Sequence, residues 1–62
     1  MIEIVKRADG TFDVLVNGEM TDTNVAGAWI EETLCTRYGF CGDEGRAILR
    51  EAADNGRATI RF

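Results

Sequence analysis

At 62 residues the chain has room for one domain, spanning 1–62, and no second core; a domain this short buries only about 60% of its unfolded surface, so modest stability is expected. Its 45% hydrophobic and 29% charged residues are those of a globular chain, which excludes disorder. The net charge is −4, and the absence of His and Ser excludes every Ser–His or Cys–His nucleophile pair.

The first two predicted elements are β-rich runs over residues 2–8 and 11–17, joined by Asp9-Gly10. An Asp-Gly pair between such runs predicts a hairpin with a type I′ turn, which needs positive φ at both central positions. In the first run Ile2 and Ile4 point one way and Glu3, Val5 and Arg7 the other. In the second, Phe12, Val14 and Val16 alternate with Thr11, Asp13, Leu15 and Asn17, which predicts the former set on the buried face. Asn17-Gly18 breaks the strand. It could turn a second hairpin, but the residues after it do not read as a strand.

Asp22, Thr23 and Asn24 are all good N-cap residues ahead of a helical pattern. From there Ala26, Trp29, Ile30, Thr33, Leu34 and Arg37 or Tyr38 form one stripe, with Gly27 a weak point and Gly39 placed to end the helix. After the tight connection Phe40-Cys41-Gly42, Asp43 is expected to cap a second helix whose inward face is Ile48, Leu49, Ala52 and Ala53, stopped by Asn55-Gly56. The last run alternates again, with Ala58, Ile60 and Phe62 inward and Arg57, Thr59 and Arg61 outward. The order is β-β-α-α-β. The fold expected is α+β: a three-stranded, mainly antiparallel sheet with both helices on one face and the other face open to solvent or to a partner.

Charge is distributed unevenly along this order. Residues 19–44 hold Glu19, Asp22, Glu31, Glu32, Asp43 and Glu44 against Arg37 alone, a balance of −5, while the rest of the chain is near +1. Such a field repels nucleic acid and attracts basic surfaces. The helix macrodipole alone accounts for Asp22, Asp43 and Glu44 near helix N-termini. It does not account for Glu19, Glu31 and Glu32, which leaves a plain solvated surface and a functional acidic patch as the two readings.

Cys35 and Cys41 lie six apart at the end of the first helix and just beyond it. The opening Met1-Ile2-Glu3-Ile4-Val5-Lys6 has no basic n-region or long apolar run, and this predicts a cytoplasmic protein with reduced thiols. Geometry allows a bond, but that setting argues against a stable one, so free, half-buried cysteines are expected. Two thiols without His do not complete a mononuclear zinc site within the chain. The glycines sit mostly at turns and helix ends, and no phosphate-loop pattern is present. No metal, cofactor or catalytic residue is expected, and the protein is read as no enzyme. Its site would be one for a macromolecular partner. Phe12 and Phe62 read as core and Trp29 as bridging core and surface. Tyr38 and Phe40, beside the acidic connection, could serve packing or anchoring equally.

Taken whole, the chain resembles the small acidic proteins encoded by phages and mobile elements, including the anti-CRISPR proteins. The likeness rests on size, on the opening Ile-Glu-Ile-Val-Lys-Arg-Ala-Asp-Gly-Thr-Phe-Asp-Val-Leu-Val-Asn-Gly, on the β-β-α-α-β order and on the acidic middle. In character it is most similar to the anti-CRISPRs of type I systems, type I-C among them. The likeness covers the architecture of the whole chain and no specific motif. It implies a monomeric, stoichiometric inhibitor acting in the host bacterial cytoplasm, docked on a subunit of a Cascade-type complex with a basic, nucleic-acid-binding surface. The acidic segment would mimic DNA there, with no direct contact to nucleic acid or membrane. The docking residues would be Glu19, Asp22, Glu31, Glu32, Asp43 and Glu44, with Tyr38 and Phe40 as apolar anchors. The alternative is a non-catalytic structural or regulatory module that self-associates through its sheet.

Overall fold

The computed structural model describes residues 1–61. The chain runs β1 (Ile2–Lys6), β2 (Phe12–Val16), β3 (Glu19–Val25), α1 (Gly27–Tyr38), α2 (Asp43–Asn55) and β4 (Arg57–Ile60). The four strands form one antiparallel sheet in the order β3-β2-β1-β4. The α+β class and the pair of helices match expectation, but the sheet has a fourth strand. Phe62, expected inward on the last strand, lies outside the described residues.

The extra strand occupies the segment read as a helix cap. Asn17 and Gly18 have φ of 50° and 86°, so the type I′ geometry falls here and closes a two-residue hairpin between Val16 and Glu19. At Asp9-Gly10 the expectation of two positive φ values fails, because among these two only Gly10, at 88°, has one. The chain instead makes a longer loop from Arg7 to Thr11. The Gly10 N–H donates to the Arg7 carbonyl at 3.1 Å, and the Asp9 carboxylate accepts the Thr11 N–H at 2.9 Å. Asp22, Thr23 and Asn24 therefore lie within β3 and cap nothing. Helix α1 starts after Ala26, which is extended and offers no side-chain cap.

The core follows the alternation of the strands. Ile2 and Ile4 stand opposite Val16 and Val14 on one side and Ile60 and Ala58 on the other. These positions face the helices and pack with Phe12, Ile30, Leu34 and Ala52, with Ile48, Leu49, Ala53 and Ile60 closing the periphery. Helix α1 ends at Gly39, whose φ of 81° lets the Phe40 N–H reach the Leu34 carbonyl at 2.9 Å and the Gly39 N–H the Cys35 carbonyl at 3.1 Å. Helix α2 follows Gly42. Asp43 is its first residue rather than its cap, and no side chain caps it.

Candidate functional site

Helices and sheet differ in charge. The helix layer, residues 27–55, carries Glu31, Glu32, Asp43, Glu44, Glu51 and Asp54 against Arg37, Arg46 and Arg50, a balance of −3 out of the total of −4. The rest of the chain, with Lys6, Arg7, Arg57 and Arg61 against Glu3, Asp9, Asp13, Glu19 and Asp22, is at −1.

The six acids singled out from the sequence do not form one continuous patch. Asp22 stands opposite Val14 on the helix-covered side of β3, and its carboxylate lies 3.6 Å from Arg37 Nη1 in the last turn of α1. Arg37 also lies over the Trp29 ring, 5.7 Å from its centroid. Trp29 is 37% exposed and is not among the side chains packed on the core, so it lies on the surface instead of bridging to the core as expected. Glu19 is exposed at the start of β3.

On the other flank of α1, Arg46 of α2 bridges two acids. Its Nε lies 3.4 Å from Glu31 and its Nη1 3.3 Å from Asp43. Three of the six acids are thus tied to arginines. Glu32, on the outer crest of α1, Glu44, in the first turn of α2, and Glu19 are exposed and make no salt bridge among the described residues. Within those six, the acids without an arginine partner narrow to these three, and Glu51 and Asp54 of α2 are exposed without a salt bridge among the described residues as well. Glu31 and Glu32 share a shallow open cleft with Ala28, Cys35, Thr36 and Gly42, which brings α1 and the α1–α2 connection together. Tyr38 and Phe40 are half-buried and packed against the core, so their rings mainly support the fold.

Cys35 and Cys41 are joined by a disulfide, contrary to the expected free thiols. Gly39 turns the chain back on itself between the two residues, bringing their Cα atoms to 4.2 Å.

The opposite, uncovered face of the sheet holds a polar hub not anticipated from the sequence. Asp13 is only 8% exposed. Its carboxylate accepts the Thr23 hydroxyl at 2.7 Å, the Asn24 N–H at 3.0 Å and the Arg7 guanidinium at 3.1 Å. The Thr23 and Asn24 hydrogen bonds, followed by Arg7, hold its carboxyl below the usual carboxylate range, against the opposing effect of burial. Asp9 is held low likewise by the Thr11 hydroxyl and N–H. On the same face Val5, Leu15 and Met20 form a diagonal apolar stripe, Leu15 directly opposite Met20, and Met20 is 56% exposed.

Among the described residues no three His, Cys, Asp or Glu side chains are grouped to hold a metal ion, and no helix is long and apolar enough to cross a membrane. Comparison with known protein families, with curated proteins and with solved structures finds nothing that matches the chain.

Proposed function

We propose that this protein is a stoichiometric inhibitor of the anti-CRISPR kind, which docks on a type I surveillance complex in the bacterial cytoplasm and blocks target DNA binding. The observation that carries this reading is the charge layout: most of the net charge lies in the helix layer, where Glu32 and Glu44 stand exposed without an arginine partner among the described residues. Carboxylates presented in this way attract a surface built for phosphates. They gain charge-assisted hydrogen bonds with its Lys and Arg side chains and a steered, fast encounter. No step in this action makes or breaks a covalent bond.

The test is binding of the purified protein to a purified type I-C surveillance complex at low and at high salt. Affinity should fall steeply with salt, because exposed charges are screened within about 10 Å at 0.1 M. The charge-reversed E32K/E44K variant should lose binding with its melting temperature preserved. Full affinity in that variant would remove the acidic-surface reading.

A second reading is favoured by one observation, the apolar stripe on the open sheet face, in which Val5 and Leu15 are half-buried and Met20 is exposed. A self-associating module would use it, and sedimentation would then show a mass that rises with concentration and falls in M20E. A monomer at every concentration would remove this alternative.

A further inference from the structure

We infer that the Cys35–Cys41 disulfide is a redox latch on the α1–α2 connection, which holds the acidic first turn of α2 against α1 when closed and frees it when reduced. The connection is where the two helix ends meet, and its two sides are secured differently. The α1 side is anchored by backbone: Gly39 and Phe40 donate to the Cys35 and Leu34 carbonyls, and the Phe40 ring packs on the core. The α2 side has no side-chain cap, its ion pair to α1 through Arg46 and Glu31 is open to solvent, and Gly42 holds a φ of 63° that other residues rarely adopt. The covalent tie sits immediately before this uncapped end, at Cys41.

The placement also allows exchange. Cys41 is exposed, whereas Cys35 is half-buried on the wall of the cleft that contains Glu31, Glu32 and Gly42. A dithiol reductant supplies both electrons. One of its thiolates attacks Cys41 Sγ, the S–S bond breaks, and Cys35 leaves as a thiolate that takes up a proton. The reductant's second thiolate then resolves the mixed disulfide, which releases Cys41 as a thiol and leaves the reductant as its own disulfide. Only six positions separate the cysteines, so opening the bond relaxes the connection and leaves the sheet register untouched. Asp43, which shares Arg46 with Glu31, and its neighbour Glu44 then lose their fixed placement relative to α1. Docking through these acids would then differ between the closed and open forms, a consequence that rests on the inhibitor reading, whereas the latch itself is tested with no partner present.

The experiment is amide hydrogen exchange on the intact protein, oxidised and then reduced with dithiothreitol, with alkylation and mass measurement to count the thiols. The C35S/C41S double variant serves as a second, permanently open form. Protection at Arg46, whose N–H donates to the Gly42 carbonyl, should fall at least tenfold in both open forms. Ile4 and Val14 in the sheet should change much less. Unchanged protection at Arg46 would overturn the latch. Equal loss of protection at Arg46, Ile4 and Val14 would also overturn it, since the bond would then be a staple for the whole fold.

Discussion

Gly45 lies so close to the Phe40 carbonyl that a Cβ at position 45 would sit 2.6 Å from its oxygen. This approach, inside the first turn of α2, lets the second helix fold back under the α1–α2 connection. The obstacle is backbone, which cannot swing away as a side chain can. Ala is the better helix former by about 1 kcal/mol, but forcing a methyl into a filled space costs about 1–3 kcal/mol. G45A should therefore show a net loss of up to about 2 kcal/mol in urea unfolding. At Gly27 the same added Cβ meets only Leu49 and Phe12 side-chain atoms, the nearest at 3.4 Å, and G27A should be tolerated. A stabilised G45A would contradict the packing described.

The Asn17-Gly18 turn supports β3. Both residues have positive φ, and Gly18, at 86°, has open space around it. Any penalty for a side chain at position 18 is thus one of backbone conformation, about 1–2 kcal/mol. G18A should destabilise the fold by that amount in thermal or urea unfolding, whereas a change at Gly10 tests the other hairpin alone. An unchanged G18A would mean that β3 does not depend on the turn.

Asp13 makes stability depend on acid. A carboxyl whose folded pKa lies below its unfolded value, about 3.9, adds stability that is full above that pH and is lost as pH falls through the folded pKa. Asp13 is such a group, held low first by Thr23 and then by the Asn24 N–H. D13N should melt below the wild type at neutral pH, and the gap should narrow once the pH drops under about 4. A gap that stays constant across this range would show that its hydrogen bonds do not need the charge. Asp9 is exposed and shifted in the same direction, so D9N should show the same trend more weakly.

Arg46 restrains two of the acids, Glu31 and Asp43. Exposed ion pairs of this kind are worth at most about 1 kcal/mol, so R46A should remain folded. It should also leave that corner one charge more negative. On the inhibitor reading, association with the basic partner then speeds up several-fold at low salt, and the gain disappears at high salt. Slower association in R46A, measured by stopped flow, would count against an acidic docking surface.

Strands β1, β2 and β4 were legible because Ile2/Ile4, Phe12/Val14 and Ala58/Ile60 keep a strict period of two. Strand β3 was not. Its pairing with β2 shifts register between Phe12 and Val14 and again between Val14 and Leu15, so inward positions do not alternate. Its Thr-Asp-Thr-Asn composition is also that of a helix cap. The clue is Asn17-Gly18, a type I′ pair like Asp9-Gly10, but the polar residues after it lack the apolar alternation of a strand. In the candidate site, net acidity was legible and its neutralisation was not. Asp43 and Arg46 are three apart on one helix, but nothing in the spacing says that Arg46 also reaches Glu31, or that Arg37 reaches Asp22, because those two contacts are set by how α1 packs on α2 and β3. The Cys35–Cys41 bond is hidden for a different reason, since the turn at Gly39 that brings the two Cα atoms to 4.2 Å is not readable from their spacing.

The most direct test of the inhibitor reading is a competition between this protein and target DNA for a purified type I-C surveillance complex, followed by native gel at low salt. The account predicts that the wild-type protein, added first at a stoichiometric amount, prevents DNA from binding, and that E32K/E44K at the same amount does not. DNA binding that proceeds unchanged in the presence of excess wild-type protein would contradict it.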